Sequence, residues 1–374
     1  MHNCDILIVG GGPAGSSLAW GLRDSGLDII IMDKQTFPRN KTCAGWITPA
    51  VIETLQIDTR DYSHQRTLQP IHGFRIGQVG NDAIEIDYGE NPVSFGIRRC
   101  EFDHYLLQRC GARIYPGEHF KDIQRKNNNW IINKKIKARL VVGAGGHFCP
   151  VARYLDAKSG RVDTIVAAQE IEFRMNEMQI KACNVNPSIP ELYFCPDLKG
   201  YGWILRKGDY LNIGLGREDR QKLSKHVTGF CHFLMERKRI LFDVPKHFNG
   251  HAYLLYQHST RAKLADHILL IGDSAGLAYT QSGEGIRPAI ESGLIASEVI
   301  RNANGVYSIK RLAGYADVIT SRFGNKKKIN NFIPHLPDNL KHYLARKIMK
   351  SHWFIRHVLI NRWFLHTEQP PLFN

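Results

Sequence analysis

"DILIVGGGPAG", residues 5–15, runs four apolar residues into three consecutive glycines, then Pro13, Ala14 and Gly15. Glycine loses more conformational freedom on folding than any other residue, so such a cluster needs a sharp turn or a close approach to explain it. The spacing Gly10-x-Gly12-x-x-Gly15 supplies both reasons. Gly10 turns the chain out of a strand, Gly12 lets the backbone approach a pyrophosphate, and Gly15 lets the next helix pack close to the strand. The helix that Pro13 and Ala14 open then faces the phosphates with its unpaired N–H groups. Downstream, "DIIIMDK" (28–34) reads as a second buried strand. Asp33 at its end accepts hydrogen bonds from ribose hydroxyls. A glycine turn without a ligand has no need of strand, helix and terminal acid in register. These residues indicate a dinucleotide, and leave NAD and FAD both open.

Outward from this motif, strand 4–9, helix 13–25 and strand 28–34 follow in the order that a parallel sheet with crossover helices requires. Residues 36–100 are mixed and leave the first domain. "EFDHYLLQRC" (101–110) has helical spacing, and "RLVVGAGG" (139–146) returns to a buried strand. From 163 to 258 the pattern is largely strand-like. "ILLIG" (268–272) is again a core strand, with a helix from about 285 to 302. Beyond Lys310 the chain reads as helical and basic, broken at Pro334 and Pro337. The fold class expected is α/β: an FAD/NAD(P)-binding Rossmann-like domain with an inserted mixed β-sheet substrate domain and a C-terminal helical segment. The boundaries expected are 1–60 plus 95–162 plus 259–308 for the dinucleotide domain, 61–94 plus 163–258 for the substrate sheet, and 309–374 for the basic segment.

With 43% apolar and 23% charged residues in 374, the chain has ordinary globular composition and enough length for two or three domains. Its eight cysteines form no Cys-x-x-Cys pair and no secretory segment precedes Asp5, which suits reduced thiols in a cytoplasmic protein. No histidine cluster has metal-ligand spacing, so no metal is expected. Residues 321–374 hold ten Lys/Arg against Asp338 and Glu368, which is +8 of the net +15. Within them "KIMKSHWFIRHVLINRWFLH" (347–366) alternates cations with Trp353, Phe354, Trp363 and Phe364. That suits a packed helical pair with a solvated basic face, or an interfacial helix at an anionic inner membrane surface. No nucleic-acid module accompanies it, so no nucleic-acid partner is expected.

The distant motif decides between the dinucleotides. "IGDSAGLAYTQSGEGIRPAIESG" (271–293) places Asp273 at the end of a buried strand, where it can bond a ribityl hydroxyl. Gly283, Glu284 and Gly285 then open a helix at Ile286. Its positive end faces a flavin's N1–C2=O edge and stabilises the anion formed on reduction.

With these segments in place the sequence resembles the FAD-dependent oxidoreductases of the geranylgeranyl reductase type, relatives of the aromatic flavin hydroxylases, from the N-terminus to about residue 305. "GDSAG" and "GEGI" match that family's ribityl-binding and flavin-edge segments. "KTCAGW" matches its cysteine-centred segment, which implies that Cys43, Ala44 and Gly45 line the flavin. The resemblance also implies Arg99 near the FAD phosphate or ribityl and backbone contacts from Phe120 to the adenine. "YGWILRKGDYLNIGLG" matches the substrate-sheet signature through Tyr201, Trp203, Gly214 and Gly216, with Leu205-Arg206 in place of Phe-Pro. Arg206 there either meets an acidic head group or points to solvent. Gly145 stands where relatives carry an aspartate, which leaves the reductant, NAD(P)H or another, open.

The resemblance thus implies non-covalent FAD and hydride transfer from reduced flavin N5 to a C=C bond of an apolar substrate, an acid protonating the other carbon. Tyr201 and Trp203 line the substrate side and Cys43 the flavin side, the latter through its backbone or as a proton-relaying thiol. Two alternatives stand beside this one. One is a monooxygenase hydroxylating an aromatic ring, of a small molecule or of a tryptophan in a partner protein. The other is an electron-transfer flavoprotein at a membrane surface.

Overall fold

Ile6, Leu7 and Ile8 have no exposed surface, and neither do Ile30 and Ile31 or Leu140, Val141 and Val142. A parallel sheet is covered on both faces, so its strands read as unbroken apolar runs, and these three do. In the computed structural model, which describes residues 1–156, 165–219, 222–325, 343–344 and 346–372, they are the centre of one sheet. Ile268–Leu270, Ile136–Gly143, His2–Val9, Ile29–Asp33 and Arg113–Pro116 lie side by side in that order, all parallel.

This sheet belongs to the first of two compact units, formed by Met1–Asn40, Cys100–Thr164 and Tyr253–Lys327. Two helices in it decide what the sheet can hold. Pro13–Leu22 follows the first strand, and Ile286–Asn302 follows Ile268–Leu270 after a loop. A Cβ on Gly293 would lie 2.5 Å from the Ala14 carbonyl oxygen, and one on Gly21 would lie 2.4 Å from the Ser297 hydroxyl. Only glycine permits that approach. Contacts advance together along both helices, so they run parallel with their N-termini toward the same end. Gly293 lies seven residues into its helix, so the second helix begins about 10 Å beyond Ala14 at 1.5 Å per residue.

The second unit comprises Lys41–Arg99, Ile165–Ala252 and Lys328–Asn374. The strands Ile165–Arg174, Tyr210–Arg217, Gly200–Lys207, Glu191–Phe194, Gly73–Gln78 and Ile84–Asp87 lie side by side in its larger sheet. Ile171, Ile204, Leu211, Ile213 and Leu215 face a helix, Leu223–Glu236, that buries Val227, Phe230, Phe233 and Leu234 against them. The alternate positions, Glu170, Glu172, Trp203, Lys207 and Asn212, fall on the opposite face. A slip of one residue would drive two carboxylates and an ammonium into the apolar core, so the register is strongly specified. A small antiparallel sheet of Trp46–Ile47, Ser94–Ile97 and Leu68–Ile71 completes this unit's strands.

The mixed α/β fold is the one expected: a Rossmann-like domain and an inserted sheet domain. The basic segment 309–374 is divided between the units rather than forming a third one. Ile309–Leu312 and Gly314–Phe323 are helices of the first, whereas the π-type helical segment Phe354–Leu365 is in the second. Lys326, Lys327, Lys328, Pro334, Pro337 and Lys341 lie outside the described residues. Ile355, Leu359, Ile360, Phe364 and Leu365 are buried. Phe364 packs on Trp46 and Tyr201 with ring centroids 5.8 and 5.6 Å away. Among the described residues no helix is long and apolar enough to cross a membrane.

Candidate functional site

In the first unit the glycine-rich turn is as tight as its sequence implies. Gly10 has φ +119°, and a Cβ there would lie 2.4 Å from the Ala144 carbonyl oxygen. One on Gly15 would lie 2.0 Å from the Gly10 carbonyl oxygen. Gly12 is different: among the described residues only Arg39 Nη2 comes within 4 Å of its Cβ position, at 3.4 Å. The first two glycines are packed, while Gly12 faces an opening with a guanidinium beside it. Asp33 is half-buried and is oriented by two backbone donors, Gly11 N to Oδ2 at 2.7 Å and Gln35 N to Oδ1 at 2.8 Å. Two bonds leave a carboxylate with acceptor capacity for hydroxyl groups.

The distant motif comes to the same end of the sheet. Gly272 turns with φ +59°, and its Cβ position is 3.0 Å from the Ala14 side chain. Asp273 follows, and its Oδ1 lies 2.9 Å from the Cβ position of Gly285, the residue that caps the Ile286–Asn302 helix. Gly283 has φ +69°, as the reversal into that helix demands. Arg261, with its side chain 7% exposed, ties the turn down by donating to the carbonyls of Asp273, Ser274 and His147 and pairing with Asp156 at 3.2 Å. Burial pushes the Glu284 carboxyl up to about 7 against the opposing pull of Arg287. Gly10, Gly12, Ala14, Gly15, Asp33, Asp273, Gly283, Gly285 and Ile286 are thereby gathered at one edge. Two helix N-termini, each carrying about half a positive charge, face it.

In the second unit Cys43, Ala44 and Gly45 lead into Trp46–Ile47. Gly45 has φ +70°, and a Cβ there would lie 2.5 Å from the Ile97 carbonyl oxygen and 2.6 Å from Lys207 Nζ. Cys43 is half-buried, and its thiol accepts from Gly45 N at 3.4 Å. Asn212, 1% exposed, connects this segment to Trp203. The indole N–H donates to Asn212 Oδ1 at 2.8 Å, and Asn212 Nδ2 donates to the Cys43 carbonyl at 3.1 Å. Trp203 lies across Gly214, whose Cβ position is 2.2 Å from the indole ring. Tyr201, two residues earlier on the same face, has its ring centroid 6.0 Å from that of Trp203.

Beneath the Cys43 segment lies a set of buried charges. Lys207 Nζ, 1% exposed, donates to Glu172 Oε2 at 2.9 Å, and Arg98 Nε donates to Glu172 Oε1 at 2.9 Å. Burial raises Glu172, but the Lys207 charge and the hydrogen bonds from Lys207, Arg98 and Asn212 outweigh it and hold the carboxyl below the usual range. Glu170 makes the contrast. Burial pushes it up to about 7 although Lys207 opposes, and the Glu172 charge adds to the rise.

Arg99, 9% exposed, opens the helix Arg99–Gln108. Phe120 is half-buried, four residues beyond Pro116, whose strand partner is Asp33. Arg206 is on the face opposite Trp203 and Lys207 and donates to the Gly208 carbonyl at 3.0 Å. The cation on the Trp203 face is Lys207.

Residues 3–86 match the family described as FAD binding domain. Over 351 residues the chain is 28% identical to digeranylgeranylglycerophospholipid reductase 3 of Methanosphaera stadtmanae, covering 88% of this chain and 85% of that one. Identity to the chloroplastic geranylgeranyl diphosphate reductase of Nicotiana tabacum is 24%, over 85% of this chain and 70% of that one. The solved structure of a geranylgeranyl bacteriochlorophyll reductase-like protein of Thermoplasma acidophilum superposes over the whole of both chains with a TM-score of 0.77 at 22% identity.

The chain is an FAD-dependent oxidoreductase similar in sequence to the geranylgeranyl reductases.

For this flavoenzyme, the opening at Gly12 and the carboxylates of Asp33 and Asp273 fit a dinucleotide that extends from one helix N-terminus to the other. Sequence reading missed Arg39, Glu170, Glu172, Lys207 and Asn212. The alternation in "QEIEF" (169–173) and "RKGDYLN" (206–212) carried a signal, since it sets acids, lysine and amide on the face that the signature residues occupy. Nothing in the spacing marked Arg39.

Proposed function

We propose that this oxidoreductase reduces a C=C bond in an isoprenoid or similarly apolar lipid chain, and that the residues above divide the work. In the first unit Gly10, Gly12, Ala14 and Gly15 hold the pyrophosphate with Arg39 beside it. Asp33 holds the ribose, Phe120 offers backbone contacts to the adenine, and Arg99 serves the phosphate or ribityl. Asp273 holds the ribityl chain, and the helix start at Gly283, Gly285 and Ile286 stabilises negative charge on the ring edge. Bound FAD supplies, in its reduced form, the hydride. In the second unit Tyr201 and Trp203 exclude water and hold the apolar chain, while Cys43, Ala44 and Gly45 serve the flavin side.

The observation that carries this reading is the Asn212 bridge. One buried amide bonds both the indole of Trp203 and the main chain of Cys43, the two residues assigned to substrate and flavin. The relative that acts, by its name, on digeranylgeranylglycerophospholipids supports the substrate class. The test is an endpoint assay under argon with chemically reduced enzyme and geranylgeranyl ether lipids, read by mass spectrometry. Gain of two hydrogens per reduced bond supports the proposal. Lipid returned unchanged under argon, with an oxygen atom entering an aromatic compound once air is admitted, would favour the monooxygenase.

A further inference from the structure

Asn212 Nδ2 carries two protons and has three acceptors around it. Glu170 Oε1 is at 2.8 Å, the Cys43 carbonyl at 3.1 Å and Glu172 Oε2 at 3.2 Å. Not all three can be served fully at once. The Cys43 N–H in turn donates to the Glu170 carboxylate. Both polar groups of the Cys43 main chain are therefore held by neighbouring buried side chains, Glu170 being 4% and Asn212 1% exposed.

We propose that Glu170 is a positioning residue whose proton sets how firmly the Cys43–Gly45 segment is held. With Glu170 ionised, two carboxylates compete with the Cys43 carbonyl for the amide, and the Cys43 N–H has a charged acceptor. With Glu170 protonated, that acceptor weakens, and the Asn212 proton it releases goes to the Cys43 carbonyl. The indole of Trp203 shares the same amide, so the shift reaches it as well.

The groups facing Glu170 decide that it is the one to titrate. Glu172 stands beside it on the same strand and is bonded to both Lys207 and Arg98, which keep its charge in place. Lys207 reaches in from the Gly200–Lys207 strand, and the Cys43 thiol belongs to the segment being held. Burial places the Glu170 transition at about 7.

The clamp itself stands on these bonds; its bearing on the flavin rests on the proposed function. The experiment uses the FAD-loaded protein and its Glu170→Gln variant. Alkylation of Cys43 by iodoacetamide is followed peptide by peptide from about pH 5.5 to about pH 8.5, which spans the Glu170 transition. The two proteins are compared at each pH as the ratio of wild-type to variant rates. That ratio should change about fivefold, the effect of one hydrogen bond, with its midpoint near 7. A carboxylic C=O infrared band should titrate with the same midpoint and vanish from the wild-type-minus-variant comparison at high pH. A flat ratio overturns the inference. If the glutamine variant does not fold, Glu170→Met, which likewise removes the titrating carboxyl, makes the same test, and a wild-type-to-variant ratio that stays flat overturns the inference. If alkylation steps but the oxidised flavin spectrum does not follow, the clamp is upheld and Cys43 is not a flavin-side residue.

Discussion

Replacing Lys207 by Met keeps most of the side-chain volume, which threads past Gly96, and removes only the ammonium group. Its Nζ is 2.9 Å from Glu172 Oε2, with the lysine side chain 1% and the Glu172 side chain 17% exposed. Breaking a buried pair by deleting one partner costs about 3–5 kcal/mol, because the surviving charge has lost its compensation. Arg98 stays bonded to the other oxygen of Glu172, so the lower end of that range, about 3 kcal/mol, is expected near pH 8. The pH dependence follows from the sign of the shift. In the wild type Glu172 is held below its ordinary value, which gives stability present above the unfolded value and lost as pH falls through the folded one. Without Lys207 the burial penalty dominates and the carboxyl moves up. The native variant then binds more protons than its unfolded chain, and its stability falls as pH rises from about 4.3, the unfolded value. Urea titrations of FAD-loaded wild type and variant at about pH 5.5 and about pH 8 read both effects. The deficit should at least double between the two. A loss under about 1 kcal/mol at the higher pH, as for an exposed pair, would refute the account of this charge set. So would a deficit equal at both values.

Glu170→Gln should behave in the opposite sense. A carboxyl raised to about 7 makes the native state lose stability as pH climbs from its unfolded value, so the variant should gain roughly 3 kcal/mol on the wild type between about pH 5 and pH 8 in the same titrations. A stability difference independent of pH would show that Glu170 is ionised throughout. Gly15→Ala places a methyl 2.0 Å from the Gly10 carbonyl oxygen, so the turn must open. The purified variant should carry little flavin by visible absorbance, and wild-type occupancy would contradict the role of that turn. Arg39→Met removes the guanidinium beside Gly12. FAD affinity should drop about tenfold in fluorescence titrations at low salt, with a smaller drop at high salt. An unchanged affinity would place Arg39 outside the phosphate site.

The Rossmann-like half was legible because each of its features is local. Gly10, Gly12 and Gly15 are demanded by a single turn, Ile6–Val9 and Ile29–Met32 by burial on both faces, and Asp33 by its place at a strand end. The first helix ends earlier than its periodicity suggests, at Leu22, with Arg23 and Asp24 outside it. Apart from the segments that carry the resemblance, the second unit was legible only as a run of strands. Its charge set depends on which residues of three different strands share a face. Glu172 lies opposite Asn212, which lies opposite Leu205, and that puts Lys207 and Trp203 on the Asn212 side. No local pattern fixes that pairing. The same limit explains Arg206, for which pocket and solvent were both open: its neighbour Lys207 occupies the Trp203 face. The basic C-terminal stretch was ambiguous for a different reason: its apolar positions 355, 359, 360, 364 and 365 suit packing within the fold as well as a lipid surface. In the fold Phe364 meets Trp46 and Tyr201 of its own unit.

The central claim is that reduced flavin in this protein delivers its electrons to a carbon–carbon double bond. Stopped-flow mixing of the chemically reduced protein with a polyunsaturated isoprenoid lipid, under argon, tests it most directly. The visible flavin band should return with the lipid and not with its saturated counterpart, one double bond disappearing for each flavin reoxidised. A band that stays bleached with every unsaturated lipid, and returns only when oxygen is admitted, would contradict the claim.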